Sequence, residues 1–212
     1  MTLDRRSLTL ALIASAFAGP ALAQAALSPA DQALVDRAAA YLQGLTEAKA
    51  RFVQTDARGR SIGGDVFLKR PGKARFDYDD PSGLLVVSDG GVVSVQDTRL
   101  KTFDRYPLSA TPLSVFLAKN IRLDKSVTVT RVARQADGFS ITARDGNKRT
   151  AGQITLNFRE APQLALTGWT IVDAQNRQTR VQLQNLQKVA GLDGSLFVLK
   201  DPRPKNVGRG KV

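Results

Sequence analysis

The stretch Lys69-Arg70-Pro71-Gly72-Lys73-Ala74-Arg75-Phe76-Asp77-Tyr78 places an Arg-Pro-Gly break between two strand-like segments and then alternates charged with apolar residues. Side chains on a strand point alternately to its two faces, so Ala74, Phe76 and Tyr78 share one side while Lys73, Arg75 and Asp77 share the other. The pattern predicts a sheet with one dry face. That face either packs an ordinary core or lines a space for a ligand, and the residues alone leave both open.

Outward from this stretch, the chain from about Lys49 onward reads as short strands separated by turns. The turns include Ala57-Arg58-Gly59-Arg60, Asp89-Gly90-Gly91, Ala136-Asp137-Gly138, Arg144-Asp145-Gly146-Asn147 and Asp173-Ala174-Gln175-Asn176. Their spacing suits antiparallel hairpins within one large, strongly curved sheet. Its expected strands begin at Arg51 to Thr55 and end with Gln178 to Leu186 and Leu196 to Leu199.

Two helices interrupt or precede the strands. Ser28-Pro29-Ala30-Asp31 reads as a helix start, with Ser as N-cap, Pro in the first turn and Asp against the dipole. The helix should run to about Gln43, and Leu34, Ala38, Tyr41, Leu42 and Leu45 form its apolar stripe. Thr111-Pro112 opens a second, short helix through Ala118, whose apolar side chains suit a plug or lid.

The N-terminus carries Arg5-Arg6, an apolar run from Leu8 to Phe17 and the cleavage signal Ala21-Leu22-Ala23. This predicts an export signal over residues 1–23, followed by a single domain over 24–212 whose basic tail after about 204 is disordered. Position 24 is Gln rather than Cys, so the mature chain is not expected to be a lipoprotein. Without Cys or His, the chain lacks thiolate chemistry, disulfides and the commonest general base and metal ligand. No arrangement of the remaining acids and bases suggests a catalytic site, a metal or a cofactor. Asp77, Asp79 and Asp80 crowd one turn instead of flanking a bond from opposite sides. The net charge of +12 is scattered through the strands, which argues against nucleic acid and leaves anionic membrane surfaces, acidic protein patches or plain solubility as its use.

The export signal, the N-terminal helix, the long sheet, the Lys69-Arg70-Pro71 turn and the Thr111-Pro112 helix occur in an order that resembles the LolA family of periplasmic lipoprotein carriers. Ala50-Arg51-Phe52-Val53-Gln54, Asp79-Asp80-Pro81 and Val87-Ser88-Asp89-Gly90 extend the resemblance over most of the mature chain. It implies a mainly β fold with α: an incomplete, half-open antiparallel β-barrel covered by helices, as in LolA and LolB. The implied function is to bind the acyl chains of lipoproteins in a hydrophobic cavity and carry them from the inner to the outer membrane, without catalysis. A chain of about 16 carbons gains about 12 kcal/mol by leaving water, so such cargo needs an escort.

The resemblance assigns Arg70 as a latch that holds the lid closed through backbone carbonyls of the helices. Phe52, Ala74, Phe76, Tyr78, Leu84 and Val86 would form the acyl-chain wall, and Leu113, Val115, Phe116 and Leu117 the lid. Read without the resemblance, Arg70 is a solvated strand-end arginine and the apolar set an ordinary core. Trp169 reads as a core or barrel-closing residue without a functional role. The implied partners of this monomer are triacylated lipoproteins, an inner-membrane ABC transporter of the Lol type, and an outer-membrane receptor or the outer membrane itself. Alternatives are a lipid sensor of the same fold, a carrier that also inserts its cargo by presenting leucines from the loop Asp80 to Leu85, and a periplasmic hydrolase.

Overall fold

The computed structural model describes residues 27–111, 113–121, 127–145 and 152–202. The expected export signal, the tail beyond about 204, Pro112 and part of the turn after Arg144 lie outside them. Helix α1 spans Pro29–Gln43, with the Ser28 hydroxyl accepting the Asp31 N–H at 3.1 Å, as the capping pattern predicts. Leu34, Val35, Ala38 and Leu42 are its buried residues.

Eleven strands form one antiparallel sheet: β1 Glu47–Thr55, β2 Ser61–Lys69, β3 Lys73–Tyr78, β4 Leu84–Asp89, β5 Val92–Asp97, β6 Thr102–Pro107, β7 Val127–Arg134, β8 Gly138–Asp145, β9 Gly152–Arg159, β10 Ala165–Asp173 and β11 Gln178–Lys188. The short helix α2, Leu113–Leu117, sits in the long connection between β6 and β7. The strand order is β6-β5-β4-β3-β2-β1-β11-β10-β9-β8-β7, so every sequential hairpin is kept and β1 meets β11 in the middle. Among the described residues the two edges, β6 and β7, do not pair, and the sheet is a large open one.

Period-two alternation fixes which side is dry. Ala48, Ala50 and Phe52 on β1, Val66 and Leu68 on β2, Ala74 and Phe76 on β3, and Ile154, Leu156 and Phe158 on β9 are all buried. In register, Ala50, Val66, Phe76, Val86 and Val95 form one row across five strands. Helix α1 and helix α2 bury their apolar residues in the same core.

Gly64 makes room in the neighbouring row, where it pairs with both Phe52 and Tyr78. A Cβ there would lie 2.6 Å from the Phe52 ring and 2.4 Å from the Asp77 carbonyl oxygen. The missing side chain is the space that the Phe52 ring fills.

The expected strand from Leu196 to Leu199 is absent; Gly194–Phe197 is a 3-10 turn. The Asp193 carboxylate caps it by accepting the Ser195 N–H at 2.8 Å, which holds the segment out of extended conformation. Phe197 is buried, and the turn lies along β3 and β4 on the face opposite α1 and α2, with Arg75 Nη1 donating to the Leu196 carbonyl at 3.4 Å. The apolar residues read as a strand are an anchor on the back of the sheet.

Candidate functional site: an apolar wall and a clamped lid

At one end of the sheet the β2–β3 turn meets the C-terminal ends of both helices. Arg70 Nη1 donates to the carbonyl of Leu42 in the last turn of α1, and Nη2 donates to the carbonyl of Ala118, just beyond α2, at 2.6 Å. The last carbonyls of a helix carry the negative end of its dipole, so one guanidinium fork brings positive charge to two helix-end acceptors, of which the Leu42 carbonyl also accepts the Leu45 N–H at 3.0 Å. The Arg70 backbone N–H donates to Thr46 at 2.8 Å, which fixes the root of the side chain.

Arg70 is half-buried, its Nε makes no hydrogen bond among the described residues, and burial pushes its pKa down from the ordinary arginine value. Arginine nevertheless remains charged. The carbonyls that its guanidinium meets are neutral, each bond being worth about 1.5–3 kcal/mol as one to a charged group. Such a clamp is firm enough to favour one arrangement and weak enough to be exchanged.

Four further hydrogen bonds surround the clamp, and none was legible in the sequence pattern. The Gly72 N–H donates to the Leu117 carbonyl at 2.8 Å. Gln43 Nε2 donates to the Lys119 carbonyl at 3.2 Å, while Gln43 Oε1 accepts the Ile121 N–H at 3.1 Å. The buried Ser88 hydroxyl donates to the Gly72 carbonyl at 2.6 Å. Gly72 adopts φ 77°, and a Cβ on it would lie 2.6 Å from Gly90 Cα, so the turn can reach the lid only as glycine. A cleft of about 570 Å³ opens beside this corner, between Pro71, Gly72, Gly90, Leu108, Ser114 and Lys119.

Of the expected wall residues, Phe52, Ala74 and Phe76 are buried, while Tyr78, Leu84 and Val86 are half-buried. Phe52 packs edge-on against Phe76 and Tyr78, with ring centroids 5.6 and 5.0 Å away. The Tyr78 hydroxyl donates to Gln54 Oε1 at 2.8 Å, and burial pushes its pKa up to about 12. Its polar end is therefore satisfied and neutral.

Of the expected lid residues, Phe116 and Leu117 are buried and Leu113 is half-buried; the Val115 side chain lies outside the described set. Phe116 sits against Trp169, which also contacts Phe76 edge-on at 6.1 Å. Trp169 is core, as the sequence suggested, and it is also the part of the core that the lid rests on. The half-buried Tyr78, Val86, Val95 and Leu113 pack against the buried cluster without being sealed by it.

Two carboxylates of the β3–β4 region, Asp77 and Asp79, are engaged in ion pairs. Asp79 takes both Arg51 terminal nitrogens at 2.9 and 2.6 Å, which hold its carboxyl below the usual range, and Asp77 pairs with Arg75 at 2.8 Å. The loop Asp80 to Leu85 does not project its leucines as the inserting alternative required. Leu84 and Leu85 already belong to β4 and are half-buried there.

Residues 43–200 match the family model described as outer membrane lipoprotein carrier protein LolA. The chain is 26% identical over 211 residues to an outer-membrane lipoprotein carrier protein of Chromobacterium violaceum, covering 96% of each chain. It is 27% identical over 192 residues to the protein of that name in Methylococcus capsulatus, covering 86% of this chain and 91% of the relative. A LolA superfamily protein from Nitrosomonas europaea superposes with a TM-score of 0.48 at 11% identity, over 80% of this chain and 97% of its own.

Proposed function

This chain belongs to the LolA family of outer membrane lipoprotein carrier proteins, and from that premise we propose that it carries triacylated lipoproteins through the periplasm after losing residues 1–23. The acyl chains occupy the apolar face between the sheet and the two helices, against Phe52, Ala74, Phe76, Tyr78, Leu84 and Val86. Helix α2, with Leu113, Val115, Phe116 and Leu117, is the lid. The cargo comes from an inner-membrane ABC transporter of the Lol type and passes to an outer-membrane receptor or directly to the outer membrane. The protein works as a monomer and performs no bond-making step.

The observation that carries this reading is the pair of hydrogen bonds that Arg70 donates to the carbonyls of Leu42 and Ala118. One side chain thereby joins the ends of two separate helices over an apolar wall, which is the arrangement a latch on a lid requires. Here the clamp favours the closed, empty state. Bound lipid favours the open one, because burying acyl chains outweighs two hydrogen bonds several-fold. Releasing the cargo lets Arg70 reclose, which makes the transfer directional.

Native mass spectrometry of the protein recovered from the periplasm tests the reading. A lipoprotein-bound species that dissociates to the bare mass is expected. Protein found free of acylated ligand in cells depleted of the downstream acceptor would refute carriage.

A further inference from the structure

The β5–β6 turn holds the most exposed large apolar residue among those described: Leu100, 73% exposed, between the exposed cations Arg99 and Lys101. The turn is built to keep it there. Asp97 Oδ1 accepts the N–H groups of both Arg99 and Leu100 at 2.9 Å, and Lys101 adopts a left-handed φ of 56°. Thr98 braces the turn on its neighbour, its N–H and its hydroxyl both donating to the Gly83 carbonyl, at 2.9 and 3.2 Å.

We propose that Arg99, Leu100 and Lys101 form a preorganised docking tip for an anionic lipid bilayer. A leucine between two cations matches the two layers of such an interface: the apolar side chain enters the acyl boundary while the cations stay among headgroup phosphates. Arg58, exposed on the β1–β2 turn at the same end of the sheet, adds to the positive charge, and the exposed Asp80 on the adjoining turn opposes it. The net charge of +12 favours the approach. A turn already held by its own hydrogen bonds loses little freedom on docking.

The strand alternation puts this tip at the end of the sheet opposite the Arg70 turn. Leu84, one of the wall residues, lies in register with Asp97 at the base of the same hairpin. Docking through Leu100 therefore sets the half-buried part of the wall beside the bilayer while the clamp stays away from it. The docking does not depend on lipoprotein carriage and can fail without it.

Co-sedimentation of the mature protein with vesicles of phosphatidylethanolamine and phosphatidylglycerol, compared with phosphatidylcholine vesicles, tests the proposal. The protein should prefer the anionic vesicles, and Leu100→Asp should lower that association about tenfold or more. Arg99→Gln and Lys101→Gln should each lower it about fivefold at low salt and flatten its salt dependence. Binding of a fluorescent fatty acid should be unchanged in all three, which separates docking from the cavity. Equal sedimentation of wild type and Leu100→Asp, or no preference for anionic vesicles, would overturn the proposal. So would a photoreactive amino acid at position 100 that crosslinks in cells to protein and never to lipid.

Discussion

The rings of Phe116 and Trp169 lie 5.6 Å apart at an interplanar angle of 30°, each side chain about 1% exposed. Helix α2 thus seats an aromatic on the floor that the proposed cargo needs. An acyl chain displacing Phe116 replaces one apolar contact by another, so the packing itself opposes loading weakly. The Arg70 bonds, which lipid cannot replace, set the opposing term.

Arg70→Leu removes both bonds and should leave the fold intact while shifting the lid toward its open arrangement by a few kcal/mol. Loading should be normal or tighter and release slower by at least tenfold. A transfer assay from loaded carrier to outer-membrane vesicles checks this; unimpaired release would remove Arg70 from the cycle.

Phe76→Glu distinguishes an accessible wall from a sealed core. Phe76 is 6% exposed but adjoins the half-buried Val86 in register, so an open lid would let water reach a carboxylate there. The variant should keep its circular dichroism and lose fatty-acid binding. Collapse of the fold would instead reveal a charge trapped without a partner, which costs several kcal/mol.

Tethering the helices should stop the cycle reversibly. The chain has no cysteine, so Gln43→Cys with Lys119→Cys gives a clean pair across the contact between the α1 terminus and the segment after α2. A cleavable thiol-reactive crosslinker should block loading, and reduction should restore it. Loading at the unmodified rate by the linked protein would refute a moving lid.

Gly64→Ala should destabilise the protein by about 1–3 kcal/mol, since its Cβ would meet the Phe52 ring and the Asp77 carbonyl closer than contact allows. Denaturant unfolding measures the loss. Pairing it with Phe52→Leu should recover part of it if the ring is the obstacle.

Stability should fall on acidification below about pH 4, the range in which unfolded carboxylates titrate. Glu47, Asp56, Asp79, Asp89, Asp173 and Asp193 all have lowered pKa values, chiefly through bonds to backbone N–H groups, or to Arg51 in the case of Asp79. Their contribution is present above the unfolded pKa and is lost as pH falls through the folded one. Arg70 keeps its proton throughout, so lid closure should not vary between neutral pH and pH 5. Thermal melts across this range, beside a fluorescent reporter on α2, test both statements.

The alternation in Lys73 to Tyr78, the Ser28 cap and the turn residues were enough to read the helix, the hairpins and the dry face, because each depends on neighbours a few positions away. The role of the same face was not legible by those means. Leu196 to Leu199 looked like a strand for the same local reason, and the Asp193 cap with Phe197 buried on the back of the sheet made it a 3-10 turn. The partners of Gln43, Gly72 and Ser88 gave no signal, since a helix-end glutamine, a turn glycine and a strand serine are ordinary until the fold brings them to one corner.

Sequence by itself determined the alternation, the caps, the breaks and the absence of cysteine and histidine chemistry, all of which are written in residue type and short spacing. Only tertiary structure decided that Arg70 meets Leu42 and Ala118, which lie 28 and 48 residues away along the chain. It likewise decided that Phe116 rests on Trp169. The physical reason is that a guanidinium binds whichever carbonyls the folded backbone brings within reach with a free lone pair, and a ring packs on whatever surface the sheet's curvature presents. Both depend on the path of the whole sheet rather than on any one stretch of it.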